Sequence, residues 1–218
     1  MRQPISAHTN IQKLIPNVSP KYREQLDIPE DHESVGLISC DNEEVLYLAL
    51  DDATKKARIR VSHVQSAYVG GRNSANIFKD ASMAIISGPK VQDVKSGLSH
   101  IEDYVNRHCC HYASQSDPEI TYYAAWTPRA GLYMRDRLGV PEGTAYCLLS
   151  STPMESTYAL DAAMKASNTE LAEMSEIFTS DNKIFAFLTG TESACRSAVE
   201  AYCAAIDRFA ANPMTLEV

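Results

Sequence analysis

The sequence predicts an α/β (α+β) fold laid down twice in tandem, and two observations carry that reading. The first is a repeat. Ala49-Leu50-Asp51-Asp52-Ala53-Thr54-Lys55 is matched 110 residues later by Ala159-Leu160-Asp161-Ala162-Ala163-Met164-Lys165, with A-L-D-x-A-x-K in common. Further matches flank it in the same order. Leu26-Asp27-Ile28-Pro29-Glu30 pairs with Leu138-Gly139-Val140-Pro141-Glu142, and Ala84-Ile85-Ile86-Ser87-Gly88 with Ala186-Phe187-Leu188-Thr189-Gly190. The offset drifts from 112 through 110 to 102, as insertions in loops would make it. A repeat in fixed order means tandem duplication of a domain of about 105–110 residues. The expected domains are residues 1–106, with a short N-terminal extension, and residues 107–218. The second observation is that short apolar runs alternate with helical apolar stripes in both halves.

In the first half, residues 20–26 predict a short helix, 34–39 a strand and 45–56 a helix. A strand follows with Ile59, Val61 and His63 on one face, and 82–87 is a second strand. Pro89 is expected just inside the next helix, where its missing N–H costs nothing. Val91, Val94, Leu98, Ile101 and Val105, at spacings of three and four, mark that helix's buried stripe. In the second half, 120–126 predicts a strand, 129–138 a helix, 144–149 a strand and 157–166 a helix. Residues 170–177 and 184–188 read as strands joined by a turn at 179–182. Thr191 is placed to cap the last helix and Glu192 to meet the positive end of its dipole. Val199, Cys203, Ile206 and Ala210 form its buried stripe, and Asn212-Pro213 ends it. Each half is thus an antiparallel or mixed sheet with helices on one side.

Composition narrows the function. Of 218 residues 44% are hydrophobic and 22% charged, the balance of a globular chain. A net charge of −8 argues against a nucleic-acid partner, because phosphate binding needs a basic face. The longest apolar run, Val45 to Leu50, is too short to span a membrane, and residues 1–10 lack the apolar core of a signal peptide. A cytoplasmic protein with reduced cysteines is expected, and Cys195 and Cys203, on one helix face, read as small core residues.

The segment Tyr158-Ala159-Leu160-Asp161-Ala162-Ala163-Met164-Lys165-Ala166-Ser167-Asn168-Thr169-Glu170-Leu171 resembles the bacterial microcompartment shell domain. The turn at 179–183, the strand to Thr189-Gly190 and the helix from Ala194 continue it. Over about residues 11–213 the chain is similar to the tandem-domain shell proteins of the ethanolamine-utilization type. Ser34-Val35-Gly36-Leu37-Ile38-Ser39, Ser87-Gly88-Pro89, Arg129-x-Gly131-x-Tyr133 and Pro153-Met154-Glu155-Ser156-Thr157-Tyr158 add to the likeness. The resemblance implies two circularly permuted, ferredoxin-like shell domains and a flat pseudohexameric homotrimer. That tile would pack with other microcompartment shell proteins, in the cytoplasm, and pass small polar metabolites through pores.

It also implies residue roles. Lys55 and Lys165 fall at the tile edge, where a long stem can lie flat while its ammonium reaches carbonyls next door; a solvated helix lysine is the plainer reading. Asp51 and Asp161, four residues earlier, can orient them. Tyr68, Val69 and Gly70, with Asp181 and Asn182, occupy loops around a central pore that can open or close; an ordinary surface turn is the alternative. A smaller pore in each subunit involves Glu44 and Tyr112, with Asp80 beside the second acidic position, where Ala81 stands instead of a carboxylate.

His108-Cys109-Cys110-His111 carries metal-ligand residue types, but adjacent ligands converge poorly on one ion from a single chain, and no metal or other cofactor is expected. No oriented third group accompanies a His-Cys pair, and no glycine-rich phosphate loop is present, so no catalytic residues are assigned and the chain is not expected to be an enzyme. The pairs Asp51/Asp52 and Glu43/Glu44 read as solvated helix-start charges. The rival to a shell tile is a small-molecule-sensing regulatory module on a similar ferredoxin-like core.

Overall fold

The computed structural model describes residues 3–67, 81–108, 111–176 and 183–215. In chain order these form β1 (Gln3–Ile5), β2 (Thr9–Ile15), α1 (Pro20–Gln25), β3 (Ser34–Cys40), α2 (Glu43–Thr54), β4 (Arg60–Ala67), β5 (Ala81–Gly88) and α3 (Val91–Arg107). There follow β6 (His111–Ala113), β7 (Thr121–Thr127), α4 (Leu132–Leu138), β8 (Ala145–Ser151), α5 (Pro153–Ala166), β9 (Glu170–Met174), β10 (Ile184–Gly190) and α6 (Glu192–Ala211). They gather into two compact units: Ser6–His108 with Gly131–Arg137, and Met1–Ile5 with Cys109–Ala130 and Leu138–Val218. Each unit therefore contains a short segment from the other half of the sequence.

The unit built on the first half has an antiparallel sheet ordered β2-β3-β5-β4. Asn42 caps α2 by accepting from the Val45 N–H at 2.9 Å. Asp93 accepts from the Lys90 N–H at 3.1 Å at the start of α3. The α3 stripe reaches the sheet because small residues let it approach. A Cβ on Gly97 would lie 2.9 Å from Ile59 Cδ1, and one on Gly36 would lie 2.8 Å from Val94 Cγ1. Val94, Leu98, Ile101 and Val105 are buried, as their spacing predicts. The sheet's other face carries a small core of Val18, Ile28 and Val35 with Ile15, Leu26, Leu37 and Ile85 packed on it.

The second unit repeats that sheet as β7-β8-β10-β9 and extends it past β7 with β6 and β1. α5 and α6 pack on each other and on the sheet. Their core contains Tyr122, Cys147, Leu149, Leu160, Leu188, Cys195, Cys203 and Ile206. One buried polar contact is built into it: Ser156 Oγ donates to the Ile184 carbonyl at 3.1 Å and lies 3.1 Å from the Tyr202 hydroxyl. Thr191 caps α6 by accepting from the Ala194 N–H, and Asn212 ends it, both as expected.

The repeat extends to the short helices. The Arg23 N–H donates to Ser19 O at 2.9 Å in α1, and the Arg135 N–H to Gly131 O at 3.0 Å in α4. Both helices end on a left-handed residue, Asp27 at φ 49° and Gly139 at φ 64°. These pairs keep the offset of 112 seen in the sequence.

Some boundaries differ from expectation. Pro89 lies outside α3, because Lys90 is the N-cap. α5 starts at Pro153, four residues before Thr157, since a proline at the first helical position is preorganised for a helix start. α4 covers only Leu132–Leu138, and β9 stops at Met174. Ile59 precedes β4, and a register shift between Val61 and His63 turns His63 to the exposed side, as a bulge does. The strands β1, β2 and β6 lack a strong alternating apolar signal and have no counterpart in the sequence reading.

Replacing Gly97 with valine is expected to lower stability by about 1–3 kcal/mol, because overpacking against Ile59 outweighs any helix-propensity gain. Urea denaturation with an unchanged m-value would report it; a variant as stable as the parent would contradict the close approach.

Candidate functional site

The repeated A-L-D-x-A-x-K helices occupy unlike surroundings. In α2, Asp51 is fully buried. Its Oδ2 accepts from the Gly131 N–H at 3.0 Å and its Oδ1 from the Met134 N–H at 3.0 Å. Thr54 Oγ1 accepts from the Tyr133 N–H at 3.4 Å while donating to the Asp51 carbonyl at 2.7 Å. Three backbone donors at the start of α4, which the helix itself cannot satisfy, thus find acceptors on α2, and the carboxylate sits at the positive end of the helix dipole. Lys55 Nζ lies 2.9 Å from Asp51 Oδ2 and balances the buried charge. The fit demands glycine: a Cβ on Gly131 would lie 2.4 Å from Asp51 O and 2.7 Å from its Oδ1.

The reading of Asp51 and Glu44 as solvated is therefore corrected. Both are buried, Asp51 under residues 131–134 and Glu44 in the first turn of α2. The covering segment lies 80 residues away in sequence, so no local pattern announces it. The i,i+4 pairing of aspartate with lysine is present in both repeats: Lys165 Nζ lies 2.7 Å from Asp161 Oδ2. There the pair is open, with 75% of the lysine and 60% of the aspartate side chain exposed, against 22% and 0% for Lys55 and Asp51.

A cleft of about 270 Å³ lies beside this junction, lined by Thr54, Arg60, Val61, Leu132, Tyr133, Asp136 and Arg137. It adjoins a second hollow that shares Val61, Tyr133 and Arg137 and adds Tyr47 and His63. The Arg137 guanidinium stacks 4.3 Å over the Tyr47 ring and donates to the Tyr133 hydroxyl at 3.1 Å. The Tyr47 hydroxyl donates to Glu43 Oε1. Burial, reinforced by the Glu43 charge, pushes the Tyr47 phenol well above its usual range, so it remains a donor.

Of the other expected site residues, Tyr112 and Glu44 belong to different units. Tyr112, in β6, is partly buried and its ring lies 5.9 Å from that of Tyr122. Glu44 belongs to the other unit. Tyr68, Val69, Gly70, Asp80, Asp181 and Asn182 lie outside the described residues, as do Cys109 and Cys110. His108 is the C-cap of α3, stacked 4.2 Å from Tyr104, whereas His111 is buried in β6. Among the described residues no three His, Cys, Asp or Glu side chains converge as a metal site. Cys195 and Cys203 are core residues, as expected. Burial pushes the Cys40 thiol up to about 12, and a hydrogen bond with Cys195, with burial, raises that of Cys147.

Among the described residues, no helix is long and apolar enough to cross a membrane. The repeated unit of four antiparallel strands and two packed helices defines a class: residues 148–215 match the BMC domain. The chain is 37% identical over 202 residues to the bacterial microcompartment shell protein EutL of Clostridium perfringens, covering 93% of each chain. It is 29% identical to EutL of Escherichia coli, covering 93% of this chain and 92% of that one. The crystal structure of the ethanolamine utilization protein EutL from Leptotrichia buccalis superposes with a TM-score of 0.93 at 33% identity, covering 99% of each chain. The chain belongs to the EutL family of bacterial microcompartment shell proteins. It is a structural component of that shell, which decides between a shell tile and a sensing module.

Two outcomes follow from the Asp51 junction. Gly131→Ala is expected to destabilise by about 1–3 kcal/mol through overpacking. Asp51→Ala should cost about 3–5 kcal/mol, because it strands a partly buried lysine and the backbone donors of α4. Thermal unfolding of both variants checks this; parent-like melting of Asp51→Ala would contradict it. In the native protein Cys40, Cys147, Cys195 and Cys203 should resist iodoacetamide and react only on unfolding, read by mass spectrometry; rapid native labelling at Cys147 would contradict their burial.

Proposed function

We propose that this shell protein works as a flat homotrimer, a pseudohexameric tile in which three chains supply six equivalent domains. The observation that carries the reading is the duplicated sheet, β2-β3-β5-β4 and β7-β8-β10-β9, within one chain. Two like domains per chain let three-fold assembly imitate six-fold packing, the geometry that fills a plane. The relatives' name as shell proteins supports a non-enzymatic role.

In this proposal the tile joins other shell proteins edge to edge in the cytoplasm. Lys55 and Lys165 lie at its edges, and the exposure of Lys165 leaves its ammonium available to carbonyls of a neighbouring tile. Tyr68, Val69, Gly70, Asp181 and Asn182 surround a gated central pore that passes small polar metabolites by size and hydrogen bonding. Glu44, Asp80 and Tyr112 contribute to smaller subunit pores.

Sedimentation should give a mass of three 24.0 kDa chains, and electron microscopy should show hexagonally packed sheets. Lys165→Asp, on an exposed side chain, is expected to abolish the sheets while leaving trimers intact. Sheets that persist in that variant would remove Lys165 from the edge.

A further inference from the structure

We propose that the cleft between β4 and α4 binds a small organic anion, a phosphate or carboxylate head with a short apolar stub, and that Arg137 and Arg60 are its cationic partners. The site lies within one unit of a single chain and does not depend on how the tile assembles.

The charge of the cleft runs against that of the chain. The protein carries a net charge of −8, yet Arg60 and Arg137 line this cleft with one carboxylate, Asp136. Glu43 accepts from the Tyr47 hydroxyl and lines neither this cleft nor the adjoining hollow. Two guanidinium groups against one carboxylate in a concave site focus positive potential there, which draws in an anion.

Arg137 is set in place before any ligand arrives. It stands in the last turn of α4, and Asp51 fixes the first. Its guanidinium stacks 4.3 Å over the Tyr47 ring and donates to the Tyr133 hydroxyl at 3.1 Å. Burial keeps the Tyr47 phenol protonated, so the ring orients the cation without cancelling its charge. A planar fork held this way matches two oxygens of a carboxylate or phosphate, and little freedom is lost when they arrive.

Arg60 is the adjustable partner. It donates to the Asp27 carbonyl at 3.2 Å and to Asp27 Oδ2 at 3.3 Å. That pair is open, with 44% of the arginine and 93% of the aspartate side chain exposed. Exposed pairs contribute little, so Arg60 can exchange Asp27 for a ligand oxygen. Val61 and Leu132 supply an apolar wall on which a hydrocarbon stub sheds water. The cleft volume of about 270 Å³ lies just below that of pockets for drug-sized ligands and suits a small metabolite. Asp136 repels a second anionic group, which disfavours polyphosphates.

The test is isothermal titration calorimetry of the full chain with methyl phosphate and with butyrate, at an ionic strength held constant by sodium chloride. At least one should bind with a dissociation constant on the order of 1 mM, and the tighter of the two names the head group. Arg137→Gln should weaken that binding at least about tenfold. Leu132→Trp, at an exposed position, should do the same with every charge retained, because the indole fills the cleft. Asp136→Asn should tighten binding by about two- to fivefold. Circular dichroism like the parent's should accompany each variant. No binding of either anion would overturn the assignment. Binding that ignores both Arg137→Gln and Leu132→Trp would overturn it too, since the anion would then sit elsewhere. Neither result touches the trimer, which sedimentation reads separately.

Discussion

A buried carboxylate governs this structure. Asp51 has no solvent contact, so its charge must be met by protein groups, and it is met by one ammonium and two backbone donors at the start of a helix. That requirement ties residues 131–137 to the first-half unit and allows no side chain at residue 131. The geometry then sets the cleft beside it, since Tyr133 and Arg137 follow on the next turn of α4 and reach the Tyr47 ring. Removing the carboxylate affects more than one bond, because donors satisfied in pairs are stranded together.

The matching A-L-D-x-A-x-K segment on α5 lacks this cover. Duplication copied the scaffold, including sheet order, cap register and the left-handed residue after each short helix. It did not copy the surroundings: one Asp-Lys pair is enclosed and the other open. The repeats share a pattern and differ in burial.

Much of the fold was legible in the sequence. The stripes of α3 and α6 follow the helical period, and Thr191 and Asn212 bound α6 as their cap chemistry requires. The repeat located the shared sheet before any coordinates. What escaped has physical reasons. β1 and β6 are three residues long, and β2 gains its place by pairing with β3 and not by a strong pattern of its own. His63 was misassigned because a bulge reverses a strand's alternation without a sequence mark. Glu44 and Asp51 looked solvated because acidic helix residues usually are, and the segment that buries Asp51 arrives from 80 residues away. The likeness in Arg129-x-Gly131-x-Tyr133 was visible, but its reason, a backbone pressed against a carboxylate, needed the structure.

Burial also explains why the cysteines of the described core serve as packing and not chemistry. Cys40, Cys147, Cys195 and Cys203 are all fully enclosed, and burial favours the neutral thiol. The central claim, that the buried Asp51 carboxylate holds the start of α4, is tested most directly by amide hydrogen exchange of the native protein. The account predicts that the Gly131 and Met134 amides, both bonded to Asp51, exchange as slowly as the amides inside α2. Exchange of both amides at the rate of an unstructured peptide would contradict it.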